Sequence, residues 1–327
     1  MKSGDALGHD LVAAATAAWH QVAPCGSKVS DAECLQKAKK GKPAVWKLKL
    51  VSGAVPSVVA KKVKLAEARQ EDCIYRELLP LSRLPAPAYF GMVPALDGAA
   101  AWTFVEYVEG DDYSSDNALH RQLAAEWLGD LHSALTRATV PALLTELGSE
   151  HYRQQLDTVI RTLAGTRENP ALGSAGRTEV DRLQQILVEF AAGWRRISRV
   201  DGSFERTLVH GSFGPRNMRI SRATSRPILM IFDWGAAGWG SPARDVAKLA
   251  ADRLGGDPGI YCKRRGLDVK AAPSLVALGN LFRAIEHLHW SVPMLAYEWV
   301  EEPLAKVSKH ALVLQMVADS GALDLAP

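Results

Sequence analysis

The chain has 327 residues, of which 47% are hydrophobic and 23% are charged, and its formal net charge is +3. This is the composition of an ordinary soluble globular protein, and the length allows two lobes. The net charge is too small to indicate nucleic acid binding by itself. Because no apolar run approaches membrane-spanning length and the N-terminus has no signal-peptide core, we expect a cytoplasmic protein without a membrane partner.

Cysteine and lysine have uneven distributions. The cysteines lack the paired spacing of a metal or redox site, so we expect reduced, structural thiols at Cys25, Cys34, Cys73 and Cys262. Nine lysines crowd one stretch: Lys37, Lys39, Lys40, Lys42, Lys47, Lys49, Lys61, Lys62 and Lys64. This stretch is either a solvated face or an electropositive surface for phosphates or an acidic partner, and the sequence leaves both interpretations open.

The first predicted elements are a helix and two strands. Apolar residues at helical spacing predict an amphipathic helix that ends near Ala23. Alternating residues predict strands over 45–51 and 55–63, joined by a tight turn. Strand alternation places Lys61 on the inward face and Lys62 on the opposite face.

A helix over 65–79 is predicted next, ending near Pro80. Glu71 and Glu77 lie on opposite margins of its apolar stripe, which consists of Ile74, Leu78 and Leu81. A carboxylate at the edge of a buried face needs a partner. An apolar strand over 101–107 follows several prolines.

Gly110 marks the predicted boundary of a larger, helical part. Its first helix has apolar residues at every fourth position, namely Leu119, Leu123, Trp127, Leu131 and Leu135. We interpret His132 in this helix as a packing or hydrogen-bonding residue. Residues 143–198 are predicted to be helical, with interruptions at Gly165 and at a loop over 169–176.

The central stretch of the chain predicts a β-hairpin. Short apolar runs at 218–220 and 228–232 flank a turn-rich segment. The open ends of a hairpin meet, so Asn217 and Asp233 should converge and offer two oxygen ligands, as Mg²⁺ requires.

Two helices are predicted after the hairpin. Pro242 begins the first, and Asp245 lies in its first turn, where an acid interacts favourably with the helix dipole. The second covers 275–290 and is dense in aromatic residues and histidines.

The hairpin region resembles a known active site. The spacing from His210 to Asn217 matches the protein-kinase catalytic loop His-x-Asp-x-x-x-x-Asn, and the tripeptide that begins at Asp233 is similar to Asp-Phe-Gly. The His-Gly pair at 210–211 is typical of the aminoglycoside phosphotransferase and choline kinase family, and the chain is identified as a member. The resemblance spans roughly residues 45–249.

The resemblance implies an α+β, bilobal, protein-kinase-like fold. Residues 1–107 would form a small N-terminal lobe with an antiparallel β-sheet. Residues 108–327 would form a larger, mainly helical C-terminal lobe with the catalytic-loop hairpin and the acceptor site. ATP and Mg²⁺ would be the cofactors.

It also implies roles for single residues. Four residues would hold the nucleotide: Lys61, Glu71, Glu106 and Val108. Lys62 is a close second to Lys61, and residues 39–43 are the weak candidate for the Gly-rich loop. Asn217 and Asp233 would hold the metal, His210 and Asn217 would belong to the catalytic loop, and Asp245 would brace that loop.

One residue departs from the family pattern: Ser212 occupies the position of the catalytic aspartate. A neutral serine is a very poor base at pH 7, whereas an aspartate accepts the proton of the attacking hydroxyl. The chain is therefore an ATP/Mg-binding phosphotransferase with an atypical or impaired catalytic loop, or a pseudokinase that regulates or scaffolds a biosynthetic complex. A third interpretation is that Ser212 is an introduced substitution in a normal enzyme.

The acceptor is loosely constrained by the sequence. A net charge of +3 does not indicate the acidic cleft that a polycationic aminoglycoside favours. A neutral natural product, a sugar, an amino alcohol and the Ser/Thr hydroxyls of a peptide are all compatible. In the peptide case, Lys39, Lys40 and Lys42 could hold an acidic leader. A binding module without nucleotide remains a separate alternative.

Overall fold

The computed structural model describes residues 3–24, 27–37, 43–53, 55–136, 141–223 and 225–324. Its contacts group the chain into two units. The first unit comprises Met1–Tyr113, Ala138–Leu144 and Pro215–Ala236, and the second comprises Ser114–Arg137, Thr145–Gly214 and Ala237–Pro327. The hairpin region thus groups with the first unit, and the lobe boundary after residue 107 stays a prediction.

The described strands in chain order are β1 (Val29–Gln36), β2 (Ala44–Leu50), β3 (Ser57–Lys64), β4 (Tyr89–Pro94), β5 (Ala100–Glu106), β6 (Asp111–Asp112), β7 (Glu146–Leu147), β8 (Thr207–Val209), β9 (Met218–Ser221), β10 (Ile228–Ile231) and β11 (Gly238–Gly240). The α-helices are α1 (Ser3–Val22), α2 (Leu65–Cys73), α3 (Leu79–Ser82), α4 (Ala118–Leu135), α5 (Ser149–Thr166), α6 (Gly173–Ala192), α7 (Trp194–Gly202), α8 (Ala243–Leu249), α9 (Pro258–Arg264), α10 (Ala272–Ser291) and α11 (Glu301–Asp319). A β-sheet first unit and a mainly helical second unit confirm the predicted fold class.

The first unit contains a five-stranded antiparallel sheet in the order β1-β2-β3-β5-β4. Helix α1 covers it with Ala15 and Trp19, which are fully buried against Leu48 and Phe104. Strand β1 is absent from the prediction because half of its sequence, VSDAECLQ, is polar and the strand lies mostly exposed at the sheet edge. An edge strand buries too little surface to show a clear apolar alternation.

The helix after β3 continues past its predicted end. A π-helical turn over Ile74–Leu78 separates α2 from α3, and Pro80 lies in the first turn of α3. A proline is tolerated there because the N–H that it lacks has no intrahelical partner in a first turn. The helical segment ends at Ser82, two residues past Pro80, which is close to the predicted end. The assignment of Leu81 to the apolar stripe is wrong, since Leu81 is 57% exposed.

The second unit is built from helices around a small sheet in the order β7-β11-β8. Helix α5 ends at Thr166, directly after Gly165, so the predicted interruption lies one residue from the observed end of the helix. Helix α6 begins at Gly173, so the predicted loop over 169–176 is too long. None of the helices in the described ranges is both long and apolar enough to cross a bilayer.

Candidate active-site residues

Lys61 lies at the centre of an ion-pair network in the first unit. Its Nζ is 3.1 Å from Glu71 Oε1 and 2.8 Å from Asp233 Oδ1. The lysine comes from β3 and Glu71 from α2, and the resemblance assigns both to nucleotide binding. Lys62 points to the other face, where its Nζ is 3.9 Å from Asp97 Oδ2.

Glu71 is almost fully buried, yet its carboxylate has three donors. Besides Lys61, the backbone N–H of Trp234 donates to Oε1 at 3.1 Å and the Thr103 hydroxyl donates to Oε2 at 3.4 Å. Burial opposes the charge on Lys61, but the carboxylates of Glu71 and Asp233 prevail and raise the pKa of Lys61. The lysine is therefore a fixed cation whose position is set from two sides.

Asp233 has an unusual backbone conformation. Its φ of 68° lies in the left-handed region, which a non-glycine residue adopts rarely and which concentrates at functional sites. One carboxylate oxygen contacts Lys61, and the side chain is 49% exposed. The conformation directs a half-exposed carboxylate away from the regular strand path.

Gly235 permits a second carboxylate to approach this turn. A Cβ at Gly235 would lie 2.4 Å from Glu67 Oε1, so a larger residue would displace Glu67. Burial raises the pKa of Glu67, and the negative charges of Glu71 and Asp233 raise it further, whereas the positive charge of Lys61 lowers it. Glu67 is thus an additional charged neighbour of Lys61.

Asn217 and Asp233 lie at the open end of the predicted hairpin, which is confirmed. Strands β9 and β10 are antiparallel, with Met218 opposite Ile231, and the Phe232 N–H donates to the Asn217 carbonyl at 3.1 Å. Asn217 therefore lies beside Phe232, the residue that precedes Asp233. A carboxylate and an amide are hard oxygen donors, so their chemistry fits Mg²⁺.

The catalytic-loop residues belong to the second unit and depend on Asp245. Its two oxygens accept hydrogen bonds from the backbone N–H groups of His210 at 2.6 Å and Gly211 at 3.0 Å. His210 is fully buried, and its Nδ1 accepts from the Ser212 N–H at 3.1 Å. Gly211 has a φ of 73°, which glycine adopts without strain. Asp245 therefore holds the loop backbone, and the His210 side chain positions the backbone of Ser212.

Two cations hold the other side of the same loop. Arg244 and Lys248, one turn apart on α8, both donate to the Gly211 carbonyl, and the Lys248 Nζ–O distance is 2.6 Å. Arg244 also forms a two-point salt bridge with Glu286, with both N–O distances at 2.9 Å. The residue before Ser212 is therefore fixed by a carboxylate at its N–H and by cations at its carbonyl.

His132 is a buried hydrogen-bonding residue, as the sequence analysis interprets it. Its Nδ1 is 3.0 Å from the Tyr261 hydroxyl, and its Nε2 is 3.7 Å from Asp245 Oδ2, longer than a direct hydrogen bond. Burial lowers the pKa of His132 to about 4, against the opposing effect of Asp245. The imidazole is neutral at physiological pH.

This pKa predicts a loss of stability in acid. The folded-state pKa lies below the ordinary value, so the unfolded chain binds the proton first and the contribution present above pH 6.5 disappears as the pH falls towards 4. We expect His132 to account for about 3 kcal/mol of this loss. Urea unfolding at pH 7 and pH 4 measures it. His132→Gln should reduce the pH dependence, whereas His20→Gln, at an exposed position of α1, should not; equal slopes in all three proteins would contradict the assignment.

The predicted nucleotide-binding residues Glu106 and Val108 lie at the end of β5 and just after it. The N–H groups of Glu106 and Tyr107 donate to the carbonyls of Ala88 and Ser57, at 2.8 and 3.0 Å. The N–H groups of Glu106 and Tyr107 therefore already have partners, and the nucleotide-binding role of Glu106 and Val108 stays a prediction. Cys25 and residues 39–42 of the candidate Gly-rich loop lie outside the described residues.

Several residues near these groups are missing from the predicted set. Glu67, Arg244 and Lys248 all contact or face a predicted residue. Helical spacing contained part of the signal, because residues 67 and 71, and residues 244 and 248, share a face at i,i+4. The contacts with Gly235 and Gly211 bring together residues far apart in the sequence, which spacing does not reveal.

The chain is similar to known phosphotransferases. A family model described as "Phosphotransferase enzyme family" matches residues 45–261, more than half of the chain. A comparison with curated proteins gives no match.

Solved structures with the same fold include the ADP-bound aminoglycoside phosphotransferase APH(2'')-Ib, with a TM-score of 0.61, 14% identity and coverage of 96% of this chain and 99% of that chain. A choline kinase from Cryptosporidium parvum Iowa II has a TM-score of 0.62 at 10% identity, with coverage of 93% and 95%. Spectinomycin phosphotransferase APH(9)-Ia, in complex with ADP and spectinomycin, has a TM-score of 0.57 at 12% identity, with coverage of 91% and 95%. At these identities the structures show the fold, and the family match shows the membership. The resemblance to aminoglycoside phosphotransferases and choline kinases is thus confirmed, and the chain belongs to the phosphotransferase enzyme family.

Proposed function

We propose that this protein binds Mg·ATP and transfers the terminal phosphoryl group to a hydroxyl of a small molecule or peptide, through a catalytic loop that lacks the usual base. The observation that carries the proposal is the pair of contacts that Lys61 makes with the buried Glu71 and the half-exposed Asp233. A lysine held by two carboxylates is positioned to contact nucleotide phosphates, and phosphoryl transfer depends mainly on such positioning.

Asp233 and Asn217 are the residues that would hold the metal. Among the described residues, no group of three or more His, Cys, Asp or Glu side chains could hold a metal ion. Mg²⁺ commonly uses one or two protein ligands together with phosphate oxygens and water, so this donor set suits an ion that arrives with the nucleotide. When bound, the ion would offset the negative charge of the phosphates.

Ser212 supports a second candidate, a pseudokinase that binds nucleotide or a partner protein and regulates or scaffolds a biosynthetic complex. The backbone around it is built like a catalytic loop, with Asp245 holding two N–H groups, but the side chain at the base position is a hydroxyl. General-base catalysis contributes about 10²- to 10⁴-fold, so its loss slows transfer without forbidding it.

Removal of the Asp233 carboxylate tests the nucleotide site without knowledge of the acceptor. In Asp233→Ala we expect the Kd of Mg·ATP to rise by about tenfold or more, because a charged ligand contributes roughly 1.5 to 3 kcal/mol. Calorimetric titration of ATP with and without Mg²⁺ measures it. Wild-type binding should depend on Mg²⁺, and the variant should lose that dependence.

A matched control is Asp319→Ala, at an exposed carboxylate at the end of α11. It should bind Mg·ATP as the wild type does. If neither the wild type nor the control binds ATP, the proposal fails and the chain is a binding module on this fold. If Asp233→Ala retains Mg²⁺-dependent affinity, the metal assignment is wrong.

A further inference from the structure

A group of basic side chains lies beside the predicted catalytic loop in the second unit. Helix α8 supplies Arg244 and Lys248, and α10 supplies Arg283 and His287. On α11, His310 stacks on the His287 ring with the ring centroids 4.5 Å apart. We call these five side chains the basic cluster. Lys248 touches the carbonyl of Gly211, so the cluster borders the residue that precedes Ser212.

The carboxylates near the basic cluster already have hydrogen-bond partners. Glu286 is partly buried, and both of its oxygens bind Arg244. Asp245 accepts from the backbone of His210 and Gly211. In the part of the chain that the structure describes, no salt bridge forms to Lys248 or Arg283. Lys248 and Arg283 therefore give the cluster a local excess of positive charge, to which His310 does not add at neutral pH because burial lowers its pKa to about 4.

This excess is costly because the side chains are partly withdrawn from water. Burial, followed by the charge of Arg244, lowers the pKa of Lys248 to about 8. The same two causes lower the pKa of Arg283. Burial also lowers the pKa of His287, and Arg283 adds to the effect. Like charges held together at reduced solvation are stabilised by an anion.

The cluster reaches the surface beside an aromatic side chain. Trp290 is 62% exposed and meets the His287 ring edge to face, with the centroids 5.9 Å apart. A ligand at this surface meets an apolar ring next to the imidazole of His287, which belongs to the basic cluster. Guanidinium and ammonium groups so placed match the oxygens of carboxylates and phosphates.

We infer that the basic cluster binds a carboxylate or phosphate group of the acceptor, so that the acceptor is an anionic or zwitterionic hydroxyl compound. This deepens the proposed function and rests on it, since the acceptor is the molecule whose hydroxyl lies at the Ser212 loop. The same charges oppose a polycationic acceptor, because an uncompensated like charge costs several kcal/mol.

The probes for this inference are inorganic phosphate and citrate, titrated calorimetrically into the full chain at constant ionic strength set with sodium chloride. Wild type should bind at least one of them. Arg283→Gln should weaken that binding by about tenfold, the scale of one hydrogen bond to a charged group. Lys248→Gln should do the same, and it guards against a folding defect in the first variant, which the thermal midpoint detects.

Arg195→Gln is the matched control. Arg195 is exposed on α7 and forms no salt bridge to any described residue, so anion binding should be unchanged. Equal affinity in wild type, Arg283→Gln and Lys248→Gln overturns the inference. So does binding of spermine in place of both anions.

Two nucleotide arms distinguish the source of the anion. Phosphate affinity is measured again in the presence of saturating Mg·ADP and of a non-hydrolysable Mg·ATP analogue. Unchanged affinity in both supports an acceptor group, whereas displacement by the ATP analogue alone assigns the cluster to the terminal phosphate and overturns the inference. Anion binding without any nucleotide binding defeats the proposed function separately, and the inference with it. Nucleotide binding without anion binding defeats the inference alone.

Discussion

Ser212→Asp should raise the rate of phosphoryl transfer by about 10²- to 10⁴-fold, the typical contribution of a general base. The backbone at this position is already held, because the Ser212 N–H donates to His210 and the Gly211 N–H donates to Asp245. The new carboxylate would therefore occupy the position of the family's base without rearrangement of the loop. ADP release from Mg·ATP, with and without candidate acceptors, measures the rate.

The control for this substitution is Ser212→Asn. Asparagine has the shape of aspartate but accepts no proton at pH 7, so its rate should remain at the wild-type level. Mg·ATP affinity should be the same in all three proteins, which separates the chemical step from binding. Equal rates for the Asp and Asn variants would show that the base position is not what limits turnover.

The two proposed functions predict different outcomes. An enzyme with an impaired loop shows a low rate in the wild type and a high rate in Ser212→Asp. A pseudokinase binds Mg·ATP but shows no transfer in the wild type, and it gains none from the carboxylate if its acceptor site has another purpose. The pair of measurements therefore decides between the two.

Asp245→Ala should lower the free energy of unfolding by about 3 to 5 kcal/mol, as expected when one partner of a buried, charged network is removed. Asp245 is fully buried, and its removal leaves the N–H groups of His210 and Gly211 without an acceptor. It also removes one of the two carboxylates whose charge compensates Arg244 and Lys248, the other being Glu286. Urea unfolding monitored by tryptophan fluorescence measures the change.

Asp257→Ala separates this role from ordinary helix capping. Asp257 is the N-cap of α9, where its side chain accepts from the Gly259 N–H, and the loss of such a cap costs about 1 kcal/mol. If Asp245→Ala costs no more than Asp257→Ala, then Asp245 acts as a first-turn acid near the helix dipole. If Asp245→Ala lowers the free energy of unfolding more than Asp257→Ala does, Asp245 stabilises the loop.

Apolar runs and strand alternation predicted much of the secondary structure of the first unit. The hairpin at β9 and β10 followed from two short apolar runs, and the face of Lys61 followed from alternation along β3. Such rules act over a few residues and hold in any surrounding fold. Strand β1 escaped them, because a polar edge strand is stabilised by its hydrogen bonds to β2 and hardly by burial.

The amino-acid sequence by itself determined that Asn217 and Asp233 lie at the open end of one hairpin, since the ends of a hairpin meet whatever packs around them. It also determined the departure at Ser212, which is a matter of residue identity. Only the tertiary structure decided what Asp245 and Lys248 contact. Their partner, Gly211, lies more than 30 residues away in the chain, and packing of the helices, rather than any local pattern, sets which charges meet at its backbone.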